Sequence, residues 1–193
     1  MWKKQTVAGM LLFAAAFAVA VEPDHRQHDA HVHGMGSVNV AVDGNSLMLE
    51  LSIPAHDLVG FEHAPATEQE HQTVDNAVAT LRDGLALFVP SAEAKCRQTR
   101  SDVKSALLEA DHHDEDHDHE SGHESHHGDE EETHAEFALF YQFECEHVKQ
   151  LERLSFAIFQ SFSGVRNLQV QFIGPSGQSG MKATPQQSVL SLQ

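Results

Sequence analysis

Val38, Val40 and Val42 alternate with small or polar residues, Asp43-Gly44-Asn45 follows, and Leu47, Leu49, Leu51 and Ile53 then alternate in turn. A period of two on both sides of a glycine-bearing turn predicts a β-hairpin. In "EQEHQTVDNAVATLRDG" the period changes. Val74, Ala77, Val78 and Leu81 fall on one face of a 3.6-residue repeat with Gly84 as a stop, which predicts a helix. "LALFVP" reads as a helix end or a short strand, and "CRQTRSDVKSALLE" as a longer strand. Phe137, Leu139, Tyr141, Phe143 and Cys145 share one face of another strand. "RLSFAIFQSF" and "LQVQFIGPSG" read as further strands, followed by "QSGMKATP" and "SVLSLQ".

Strand and helix do not alternate regularly, so a doubly wound parallel sheet is excluded in favour of an α+β fold, mostly antiparallel β, with one main helix. Each half opens with a hairpin and closes with strands, which hints at two related β-rich halves. The first twenty residues stand outside this pattern. A basic start, "MWKK", precedes the apolar run "VAGMLLFAAAFAV" and the small-x-small triplet Ala18-Val19-Ala20. That order predicts a secretory signal peptide over 1–20, hence export, with no membrane span left in the mature form. A polar arm over 21–35 follows, and then a single β-rich domain over 36–193.

One stretch cannot contribute to a core. Residues 111–134, "DHHDEDHDHESGHESHHGDEEETH", hold eight histidines and eleven acidic residues with no Lys or Arg. They fall between two strand-like stretches, so the expectation is a long hairpin loop without regular structure; loops of this length are usually functional or disordered. The formal charge of the chain is −17, of which this stretch carries −11. A field of that sign excludes nucleic acid as a partner and gathers cations.

Imidazole and carboxylate together suit borderline divalent metals. His112, His113, His117, His119, His123, His126, His127 and His134 offer overlapping ligand sets rather than one cage. Calcium and magnesium prefer oxygen and leave these imidazoles unexplained. Zinc leads, while copper(II) and nickel(II) would also bind such a segment in vitro. "HESGH" and "HESHH" satisfy the H-E-x-x-H pattern of zinc peptidases, but Gly122, Gly128 and the missing apolar face argue against the helix that pattern needs.

The arm carries His25, His28, His31 and His33; the last two, in "HVHG", share one side of an extended chain. His56 and His63 flank "DLVGFE", and Glu62 and Glu68 lie close to His63. The two cysteines, Cys96 and Cys145, stand nearly equidistant from the centre of the His/Asp/Glu stretch. In an exported chain that points to a disulfide, with a dithiolate metal site as the alternative. No catalytic constellation stands out. A metal-dependent hydrolase therefore ranks below binding, and the main rival is an exported structural or interaction protein with a metal- or pH-responsive loop.

The segment "HVHGMGSVNVAVDGNSLMLELSIPAHDLVGFEHAP", continued through "CRQTRSDVKSALLE", the histidine-rich insertion, "HAEFALFYQFEC" and "GPSGQ", resembles the ZrgA-like periplasmic zinc-binding proteins of Gram-negative bacteria. The resemblance spans essentially the whole mature chain. It implies a non-enzymatic periplasmic protein that aids zinc acquisition, alongside a zinc ABC transporter or its periplasmic binding protein. By motif it singles out His31, His33 and His63, with the histidines of 112–134 as a capture loop. The position of His56 looks unusual for the family, so the resemblance lends it no role.

Overall fold

The computed structural model describes residues 32–108 and 135–193. The expected signal peptide over 1–20, the arm as far as His31 and the stretch 111–134 lie outside the described residues.

The hairpin forms as its alternation requires. Strand β1 (Met35–Asp43) and strand β2 (Ser46–Pro54) pair antiparallel from Ser37↔Ser52 to Asp43↔Ser46. Gly44 takes a left-handed φ of 56° in the turn, a conformation glycine adopts without steric cost. Helix α1 (Ala55–Val59) follows β2 directly and stops at Gly60, φ 91°. Helix α2 (Glu68–Leu81) buries the four residues its periodicity selects, and Thr67 starts it with a capping box to Glu70. It ends before Gly84, which opens helix α3 (Gly84–Leu87), with the Asp83 side chain accepting from the Ala86 N–H. "LALFVP" is thus both elements in sequence, since strand β3 (Phe88–Pro90) begins at once.

Strand β4 (Cys96–Lys104) runs antiparallel to strand β5 (Glu136–Cys145). Strand β6 (Arg153–Phe156), helix α4 (Ile158–Ser161), strand β7 (Asn167–Gly174), strand β8 (Gly177–Ala183) and strand β9 (Val189–Ser191) complete the order. Here one expectation is corrected. "RLSFAIFQSF" is a strand only as far as Phe156. Ile158 and Phe159 are neighbours and both buried, which a helical turn permits and a strand with one covered face does not.

The architecture is α+β and mostly antiparallel. A six-stranded sheet has the order β4-β5-β2-β1-β7-β8, and a three-stranded sheet the order β3-β6-β9. β1 and β7 pair in parallel, from Met35↔Asn167 to Ala41↔Ile173. Strands from the two halves of the chain interleave in the larger sheet. One face of that sheet supplies Val38, Val40, Leu47, Leu49, Leu51, Ile53, Phe137, Leu139, Tyr141 and Phe143 to a single core, which also takes the apolar face of α2. Each fully buried large side chain contributes about 1.5–3 kcal/mol.

Candidate metal centre

The β1–β2 register prepares the site. The antiparallel pairing sets the start of β1 beside the end of β2, and α1 follows β2 directly. His33 lies beside α1, where its ring stacks on that of His56 with centroids 4.4 Å apart and planes 4° from parallel. His33 Nε2 lies 3.2 Å from Glu62 Oε1, beyond the end of α1.

Asp57 anchors the meeting point. Its carboxylate is buried and accepts the Gly34 N–H in both oxygens, at 2.8 and 2.7 Å. Charge-assisted bonds of this kind are roughly twice as strong as neutral ones. Gly34 adopts φ 84°, so the chain can turn from His33 into β1. His56 Nδ1 stands 3.8 Å from Asp57 Oδ1. Gly164 packs against the Asp57 backbone so closely that a Cβ there would lie 2.3 Å from the Asp57 carbonyl oxygen.

His63 keeps other company. Its ring stacks on Phe61 at 5.0 Å, Nδ1 lies 3.0 Å from the Ala64 carbonyl and Nε2 lies 3.8 Å from Glu70 Oε1. Glu70 is held below the usual carboxylate range, first by the Ala66 N–H, against desolvation, and then by the Thr67 hydroxyl and N–H and by His63. Of the three positions singled out by motif, His31 lies outside the described residues, as do the eight histidines of 112–134, and His33 and His63 have different partners. Among the described residues, no three His, Cys, Asp or Glu side chains already converge as a cation cage.

Sequence reasoning set His56 aside and missed Asp57. The hairpin carried a partial signal for His56, since antiparallel pairing of its strands brings the start of β1 and the end of β2 to the same end of the sheet. Asp57 had no such signal, since an acidic residue early in a helix is normally solvated.

The cysteines are joined. Cys96 and Cys145 face each other in the β4–β5 register and form a disulfide, which removes the dithiolate alternative. The ladder runs from that bond to Lys104↔Ala138, so residues 105–135 leave from the end opposite the disulfide. Among the described residues no helix is long and apolar enough to cross a membrane.

The family model described as "ZrgA family zinc uptake protein" matches residues 30–192. No curated protein matches the chain. The match runs from the arm through both sheets, and on it the chain belongs to the ZrgA family of zinc uptake proteins.

Proposed function

We propose that this protein acts in the periplasm as a zinc-binding carrier or buffer that aids zinc acquisition when the metal is scarce. The His/Asp/Glu stretch 111–134 gathers zinc by its negative field and holds it through imidazole and carboxylate. His31, His33 and His63 are further ligand candidates, and a zinc ABC transporter or its binding protein receives the ion. Zinc is cargo here, and the family is one of metal uptake rather than of enzymes. Copper(II) and nickel(II) would compete in vitro.

The observation that supports this reading most is where the ligand-rich stretch enters the fold. It joins Lys104 of β4 to Glu136 of β5, and those strands are tied at their far end by a disulfide. Ligands inserted there can bind and release ions at little cost to the core.

Isothermal titration of zinc into the mature chain and into a variant lacking residues 111–134 tests the proposal. The deletion should abolish most of the binding stoichiometry and leave the unfolding midpoint unchanged. Equal stoichiometry in the two proteins overturns the assignment. A strain without the protein should grow poorly under chelation and recover with added zinc.

A further inference from the structure

We infer that strand β8 is a docking edge for a second copy of this chain, pairing antiparallel with its own counterpart about a two-fold axis. The inference goes beyond the zinc-uptake reading and does not rest on it.

The two outer strands of the six-stranded sheet are built differently. An outer strand presents unpaired N–H and C=O groups, and proteins that stay apart guard such strands with charges, prolines or bulges. β4 is guarded: it carries Arg97, Arg100, Asp102 and Lys104, and its register with β5 shifts between Gln98 and Arg100. β8 has none of these devices. Its register with β7 runs unbroken from Leu168↔Ala183 to Gly174↔Gly177, it holds no proline, and Lys182 is its one charged residue. Residues 177–180 and Lys182 are exposed. Among the described residues no strand of the sheet lies beyond β8.

Every second residue of an antiparallel strand turns its backbone groups away from its neighbour. On β8 those groups pair with water or with another strand, and the residues of β8 are complementary to themselves. Gly180 is the middle residue of Gly177–Ala183. A two-fold axis there sets Gly180 against Gly180 of the second copy, Ser179 against its Met181, and Gln178 against its Lys182. Glycine at the axis lets the two backbones approach. The two lysines fall at opposite ends of the pair, each facing a neutral amide whose oxygen can accept from the ammonium. Met181, already packed against the core, would lie on the covered face of the joined sheet. Both copies spend the same strand and β4 is guarded, so the assembly closes at two.

Two quantities limit its strength. A pair of short strands covers less than the roughly 800 Å² per partner of a standard interface, so the dimer should depend on concentration. The formal charge of −17 on each chain opposes association, and salt at about 0.15 M screens that repulsion beyond about 8 Å. The competing explanation is a glycine-bearing outer strand satisfied by water alone.

Sedimentation equilibrium of the full mature chain separates the two, run up to roughly millimolar protein in chelator and about 0.15 M salt. The chelator prevents metal ions from bridging copies. The expected result is a monomer–dimer equilibrium without larger species. Gln178→Lys sets two like-charge pairs across the axis and should weaken the dimer by roughly 2- to 30-fold, whereas Gln178→Glu sets two opposite-charge pairs and should tighten it by a similar factor. Gln178 is exposed, so both variants should unfold at the parent's midpoint. A chain that stays monomeric throughout, or a dimer indifferent to both substitutions, overturns the pairing. Open-ended polymers overturn the closed two-fold. Zinc titration reads the carrier proposal separately, and its failure would leave this edge standing.

Discussion

The hydroxyl of Tyr141 donates a hydrogen bond to the carbonyl oxygen of Leu81 at 2.6 Å, joining the middle of β5 to the last residue of α2. The final carbonyls of a helix have no partner within it, so this contact satisfies a group that burial would otherwise penalise. Burial pushes the Tyr141 hydroxyl well above its ordinary range, and the negative charge of Asp83 adds to the effect.

Tyr141→Phe should therefore cost about 1–2 kcal/mol at neutral pH, as a lower urea midpoint with an unchanged slope. The pH dependence has a definite sign. A tyrosine whose folded value is raised stays protonated in the fold above about pH 10, where the unfolded chain has lost its proton. Its contribution is complete below that pH and declines as pH rises further. Tyr141→Phe should lack this alkaline decline, and identical slopes of stability against pH in both proteins would contradict the assignment.

Replacing both cysteines by serine should destabilise the protein by about 2–5 kcal/mol, since the bridge closes a loop between residues 49 apart in sequence. Urea unfolding of the variant, against the parent with and without reductant, measures the loss. The variant and the reduced parent should agree.

Gly164→Ala tests the support beneath Asp57. The added methyl would meet backbone, not a yielding side chain, so about 1–3 kcal/mol of stability should be lost. Thermal unfolding reads that cost. A variant as stable as the parent would show that the two segments can separate without consequence.

Much of the fold was legible along the chain because its signals are local. The alternation of Leu47, Leu49, Leu51 and Ile53, the helical spacing of Val74 to Leu81 and the single face of Phe137 to Cys145 all match their elements. The break after Phe156 was not legible, because a short apolar run suits a strand or a buried helical turn equally well. Nor was the parallel pairing of Met35 with Asn167, since nothing near either residue names a partner so far away.

The candidate site divides in the same way. Residue order alone settled that imidazoles and acids are abundant, where the first hairpin and the main helix lie, and that a glycine-bearing turn joins the two hairpin strands. Which of those groups share a point in space was settled by folding. His33 stacks on His56 where β1 starts beside α1, Glu62 reaches His33 from beyond the end of α1 at Gly60, and Asp57 accepts from Gly34 while Gly164 packs on its backbone. Periodicity is a property of neighbours in the chain, whereas coordination depends on donors brought together from separate segments, and that distance is fixed by packing.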